Sequence, residues 1–302
     1  MLYQQIASNK RKTYLVFAVF FTILATIGAV IGYLFFDSIG SGIVISLVIT
    51  VIYALLMYFK STSLVMQMNG ATKITASDQA PMLWHIVEDL SFVAKIPQPD
   101  IYIIDDPSPN AFATGRDPKH SAVAVTSGLY DMMDRQELEG VLAHEISHIR
   151  NYDIRVSTIS VALSSAIVFI SSMLANMYRW SWLFGSNDRD DDDSRGNIIR
   201  LVLWLVGLVF AILGPMIATI VRLAISRNRE YLADASGVEL TRNPAGLIGA
   251  LHKLADNTQP MQQVDDASAA LYITNPLKHQ NFAHLFDTHP PLADRIKRLE
   301  KM

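Results

Sequence analysis

Two histidines four residues apart, His144 and His148, enclose Glu145 in the stretch "VLAHEISHIRNYDIRV". On an α-helix that spacing puts both imidazoles on one face, one turn apart, so that both can reach a single ion. Neutral imidazole nitrogen binds Zn²⁺ at ~2.0–2.1 Å, and a hydrolytic site needs three protein ligands with a fourth position left for water. Glu145, beside the first histidine, can take a proton from that water and hand it to the leaving amine of a peptide bond. The bland alternative is a surface helix that carries two incidental histidines.

The third ligand decides the class. The chain has no cysteine, so a metal must be held by histidine and carboxylate. A further histidine soon after His148 would suit a metzincin, but "IRNYDIRV" offers none. The later stretch "SRNREYLADASG" supplies Glu230, with Asp234 one turn on. A set of two histidines and one glutamate is an established catalytic zinc site. Asp234 can then accept a hydrogen bond from the other nitrogen of His144 and fix its tautomer. Taken by itself, Glu230 could equally pair with Arg227 or Arg229; next to the HExxH motif, the metal reading prevails. The remaining histidines, His85, His120, His252, His279 and His284, lack paired spacing and read as structural or surface residues.

The elements that position these residues start from composition. Of 302 residues, 51% are hydrophobic and only 18% charged, which is too apolar for an average soluble protein. A net charge of −3, with no basic aromatic stripe, gives no footing for nucleic acid as a partner. The apolar residues collect in four runs, 14–36, 42–59, 156–177 and 201–221, each near the ~20 residues a helix needs to cross a bilayer. The first two are joined by "DSIGS" and read as a hairpin. The third is softened by six serines. Run one is too long for a signal-peptide core and reads as a retained anchor. Lys10, Arg11 and Lys12 place the N-terminus in the cytoplasm, so residues 60–155 and 222–302 are expected there too, with loop 178–197 outside. That loop carries "NDRDDDDSR", read as a solvated segment flanked by the interfacial Trp180 and Trp182.

The organisation expected is therefore a transmembrane hairpin at 1–60, a first catalytic part at 61–155, two further spans at 156–221, and a second catalytic part at 222–302. A single cytoplasmic domain built from both soluble parts buries more core than two small ones. Within it, Leu83, Ile86, Val87, Leu90 and Val93 mark one face of a helix, "DIYIID" reads as a strand, and "NAFAT" and "SAVAVTS" read as strands around the turn "GRDPKH". Asp134 and Glu137 form a capping box that opens the motif helix, with Leu138, Val141, Leu142, Ile146 and Ile149 as its apolar positions.

"PNAFATG", "HEISHIRNYD", "SRNREYLADASG" and "THPPLADRI", in this order with spans before and between them, resemble the HtpX-type membrane zinc metalloproteases, bacterial relatives of the membrane CAAX prenyl endopeptidase. The resemblance covers nearly the whole chain. It implies a mainly α membrane protein of four transmembrane helices with an α+β, gluzincin-like zincin domain facing the cytoplasm of a bacterial cell. It also implies one Zn²⁺ per chain on His144, His148 and Glu230, with Glu145 as catalytic base. The implied role is hydrolysis of misfolded or damaged membrane proteins in quality control, so the partners are polypeptide substrates and the lipid bilayer. In its light, the edge strand Asn110, Ala111, Phe112 and Ala113 can bind substrate by strand addition. His289 and Arg295 can donate to the oxyanion of the tetrahedral intermediate; the plain reading of both is a His-Pro-Pro turn leading into a last helix. An intramembrane protease of the site-2 type is excluded, because runs three and four carry no Asp or Glu. A CAAX-type prenyl-protein endopeptidase and an inactive zinc-binding scaffold remain the alternatives.

Overall fold

The computed structural model describes residues 2–162, 227–262, 268–276 and 290–302. Most of apolar run three, all of run four, the acidic loop with Trp180 and Trp182, and His279, His284 and His289 lie outside the described residues.

Two long helices open the chain, α1 (Leu2–Phe36) and α2 (Ile39–Met68). Both are long and apolar enough to cross a membrane. They pack closely because Gly42 lies against Gly28 and Gly32; a Cβ on Gly42 would come within 2.1 Å of the Gly28 carbonyl oxygen. Small residues that let backbones approach are what apolar helices use in lipid, where burying side chains from water offers no driving force. Their outer faces carry nearly every exposed large hydrophobic residue among those described, from Tyr14 and Leu15 to Leu56 and Phe59; the exceptions are Phe92, Val93 and Met302. Such a surface is not stable in water.

At 30 residues, α2 is about 45 Å long, longer than the ~30 Å hydrocarbon layer. Its last turns leave the apolar segment and pack on a sheet. Four strands form that sheet, β1 (Thr72–Ile74), β2 (Asp100–Ile104), β3 (Ala111–Asp117) and β4 (His120–Thr126), in the order β1-β2-β4-β3. β2 runs parallel to β4, and β3 antiparallel to it, with Phe112 opposite Ala124 and Ala113 opposite Val123. One face is covered by α3 (Pro81–Ala94) and α5 (Arg135–Arg150), through Leu83, Ile86, Val87, Leu90, Leu138, Val141, Leu142, Ile146 and Ile149. The other face, with Phe112, Ala122 and Ala124, meets Val65 and Met66 of α2 and Tyr272. Burial on both faces explains why the strands read as continuous apolar runs rather than alternating ones. Val93, expected in the core, is 52% exposed. α3 ends one residue later, and the left-handed Lys95 turns the chain away before that position can be covered.

The sequence reading did not foresee β1 or the short α4 (Ser127–Met132). Three-residue strands and single-turn helices carry too few residues to show a period.

α5 holds the centre of the domain and is gripped from two sides by helices Arg227–Thr241 and Pro244–Asp256. The second sits so close that a Cβ on Gly140 would lie 2.5 Å from the Leu247 backbone nitrogen. Gly140→Ala is therefore expected to cost about 1–3 kcal/mol by forcing two backbones apart. Thermal unfolding of the detergent-solubilised variant measures this, and a wild-type transition would mean that the helices are not in such close contact.

Candidate metal centre

α5 begins with the expected capping box. The Asp134 carboxylate accepts from the backbone N–H groups of Gln136 and Glu137 at 2.8 and 2.9 Å, and Glu137 accepts from the Asp134 N–H at 2.9 Å. Ten residues on, the helix presents His144 and His148 toward helix Arg227–Thr241. Glu230, Asp234 and Gly237 lie on one face of that second helix, at spacings of four and three. Gly237 sets the separation: even a Cβ there would be 3.1 Å from the His144 nitrogen. The missing side chain lets Glu230 reach the imidazoles.

Three ligand atoms meet at this point. The two Nε2 atoms are 3.2 Å apart; Glu230 Oε2 lies 3.5 Å from His144 Nε2 and Glu230 Oε1 lies 3.5 Å from His148 Nε2. Atoms bound tetrahedrally at ~2.05 Å to one ion would be separated by about 3.3 Å. The spacing of the two Nε2 atoms matches that figure, and one ligand atom from each of the three residues lies within 4.8 Å of the other two. Protonation adds a second argument. His144 Nδ1 lies 2.9 Å from Asp234 Oδ1, and His148 Nδ1 lies 3.0 Å from Asp153 Oδ2. Each carboxylate can only accept, so each Nδ1 carries the hydrogen. Both Nε2 lone pairs then face one another and a carboxylate, and three acceptors in one place require a cation. A proton answers the same demand. Burial and Arg295 both push the His144 pKa down, yet the bonds to Asp234 and Glu230 outweigh them and raise it to about 9.

Glu145 is buried and lines the same cleft as His144, His148 and Glu230. Burial pushes its carboxyl up; the two histidines pull it down, the Glu230 charge adds to the rise, and the N–H of Ala113 donates to it and lowers it in part, leaving a net rise. A carboxyl raised in this way suits a group that must accept a proton and then release it.

The other expected residues fall out differently. Arg295 is fully buried, its guanidinium engaged by Asp234 through Nε at 2.9 Å and Nη2 at 2.6 Å. It is not among the residues that line the cleft, and its Nη2 lies 3.3 and 3.4 Å from the two ring nitrogens of His144. His289 lies outside the described residues. Of the four residues expected to form a substrate-binding edge, only Ala113 reaches the cleft. In an antiparallel pair alternate residues turn their backbone groups outward. The outward carbonyl of Ala111 already accepts from the Ile273 N–H at 2.9 Å. Asn110 is occupied as well, its Nδ2 donating to the Thr274 carbonyl at 3.0 Å and its Oδ1 accepting from the Ala111 N–H at 3.1 Å. Phe112 is packed edge-on against Tyr272. A segment of the chain itself, around Ile273 and Thr274, holds the first half of the edge expected for strand addition, Asn110 to Ala113.

Asp153 is the residue that the sequence reading missed. It follows Tyr152, whose left-handed backbone (φ 60°) breaks the helix and returns the next residue to His148. The signal was present in "HIRNYD", but a partner five residues on depends on that one turn. Arg229 stands 3.9 Å from Asp153 and is also buried.

Residues 77–302 match the model of peptidase family M48. Over their full length, curated proteins named "Protease HtpX homolog" are similar to the whole chain: 56% identical in Levilactobacillus brevis, 55% in Lactobacillus acidophilus and 54% in Streptococcus gordonii, with 100% of each chain covered. Among solved structures, the crystal structure of S. mikatae Ste24p is similar in fold, with a TM-score of 0.50 at 21% identity, covering 99% of this chain and 67% of that one.

The Asp153 contact gives a measurable expectation. Asp153→Ala should weaken zinc binding about 10–100-fold, the usual cost of losing a carboxylate behind a ligating histidine. Chelator competition on the purified protein reads this directly, with helical circular dichroism as the control. Unchanged affinity would show that Asp153 does not orient His148.

Proposed function

The chain belongs to peptidase family M48, and on that premise we propose that it hydrolyses peptide bonds in misfolded or damaged membrane proteins, using one zinc ion held by His144, His148 and Glu230. It is a metalloendopeptidase. The observation that carries the zinc assignment is the convergence of three acceptor atoms, from buried His144 and Glu230 and partly buried His148, all within 4.8 Å of one another beside a buried carboxylate that lines the same cleft.

A zinc ion in this position supplies Lewis acidity and lowers the pKa of water from ~15.7 to about 7. Glu145 is the general base: its carboxylate takes a proton from the attacking water and delivers it to the leaving amine. The Ala113 N–H holds that carboxylate at the edge of the sheet. Asp234 and Asp153 keep the two imidazoles in the Nδ1–H form, so that both Nε2 atoms remain available as ligands.

The proposed setting is a bacterial cell membrane with the active site on the cytoplasmic side and four spans in all. Lys10, Arg11 and Lys12 ahead of α1 support this orientation, since cations of short flanking segments stay in the cytoplasm. The hairpin then returns the chain to the same side. Because α2 packs directly on the sheet, the cleft is held a short way from the bilayer, where segments leaving it can enter. That placement supports membrane proteins as the polypeptide substrates and the lipid bilayer as a partner. The prenyl-protein alternative has only a likeness of fold behind it. The scaffold alternative leaves the buried Glu145 without a use.

Glu145→Gln separates these readings. The variant should keep one zinc per chain by metal analysis and lose at least about 10²-fold in cleavage of an unfolded, casein-type substrate, because the proton shuttle is gone. Persisting turnover would sink the mechanism, and activity indifferent to a strong chelator would sink the metal assignment.

A further inference from the structure

The C-terminal helix, Leu292–Leu299, sends a charged side chain to a place where charge is costly. Arg295 is wholly buried. Its Nε and Nη2 donate to the two oxygens of Asp234, at 2.9 and 2.6 Å. This is the planar fork by which a guanidinium fixes a carboxylate in both position and rotation. Asp234 Oδ1 also receives the His144 Nδ1 hydrogen, at 2.9 Å. The order Arg295, Asp234, His144, metal position is thus a continuous chain of short polar contacts.

One turn further on, the Arg298 guanidinium sits 3.6 Å from the ring centre of Tyr231. Arg295 and Arg298 are three apart on one helix; Asp234 and Tyr231 are three apart on the other. The paired contacts fix both the height and the rotation of the Glu230-bearing helix against the C-terminal one. Ile296 and Leu299 close the contact with apolar surface. Arg295 Nη1 also points to the Ile273 carbonyl at 3.5 Å, in the segment that lines the cleft. On the other side of the site Arg229 stands 3.9 Å from Asp153, the carboxylate behind His148.

We propose that Arg295 is a positioning residue for the metal centre: it locks the Asp234 carboxylate that orients His144, so that the C-terminal helix completes the site. The inference rests on the assignment of His144, His148 and Glu230 as ligands. Lysine cannot replace this arrangement, since its single ammonium keeps the charge but not the two parallel bonds.

The test is a double-mutant cycle on the full chain in detergent, read as zinc affinity by chelator competition and as the ligand-field spectrum of the cobalt-substituted protein. Asp234→Asn and Arg295→Met should each weaken zinc about 10–100-fold. The double variant should be no weaker than the worse single one, because the two residues act through one contact. Arg295→Lys should recover only part of the affinity, and both Arg295 variants should shift the cobalt spectrum. Arg295→Met leaves a buried carboxylate unpaired and can fail to fold. The double variant removes both charges, and it should fold while still binding zinc as weakly as Asp234→Asn. Wild-type zinc affinity in Arg295→Lys or Arg295→Met, or multiplied losses in the double variant, would overturn the proposal. His148→Ala keeps the failures apart: if it retains zinc at wild-type affinity, the ligand assignment itself is wrong.

Discussion

Three acceptor atoms facing one another in a buried place cannot be stable without a positive charge between them, and the rest of the domain is arranged around that constraint. The Nε2 atoms of His144 and His148 and the carboxylate of Glu230 converge there, with exposure of the His144 and Glu230 side chains close to nil. The charges around them alternate in sign. Behind each imidazole is a carboxylate, Asp234 or Asp153, and behind each carboxylate an arginine, Arg295 or Arg229. Each layer offsets the desolvation of the one inside it. Removing a member would leave its neighbour buried and unpaired, which is costlier than the pair is favourable.

Such a network tolerates little slack, and the helices that carry it are held together by absent side chains. Gly237 brings the Glu230 helix onto α5, and Gly140 brings helix Pro244–Asp256 onto its other side. Both contacts are backbone against backbone, so the separation is set by hard-sphere distance rather than by adaptable side chains. The ligand atoms inherit that rigidity. A metal site needs its ligands placed to within about half an ångström, and regular elements in close contact supply that better than loops.

What could be read in advance was what repeats or pairs locally. His144 and His148 at a spacing of four, the Asp134–Glu137 capping box and the apolar face of α5 are all relations within one helix. Glu230 and Asp234 were legible as a pair for the same reason, and only their partner lay far off in sequence. Asp153 was missed because its return to His148 depends on one left-handed residue, Tyr152, for which no period exists. The bond between Arg295 and Asp234 is not legible, because sequence gives residue type and not direction, and the two lie 61 residues apart along the chain. The edge of β3 is hidden in the same way: "NAFAT" reads as a strand edge, and sequence does not show that Ile273 pairs with Ala111.

That segment changes what the cleft can accept. An open strand edge would recognise any extended peptide over several residues, through main-chain bonds alone. Here Ala111 is already paired with Ile273, and the Gly115 N–H donates to Thr158 Oγ1 at 2.9 Å. The Ala113 N–H between them is turned to Glu145. With these donors and acceptors engaged at both ends, the edge offers a peptide a stretch of one or two residues, next to the catalytic carboxylate. On the proposed reading, recognition at this edge is short and depends more on a chain being locally unfolded than on its sequence. A folded protein cannot bring its backbone into so narrow a place. A chain that has lost its structure beside the membrane, the substrate proposed above, can, and α2 packs directly against the sheet that carries this edge.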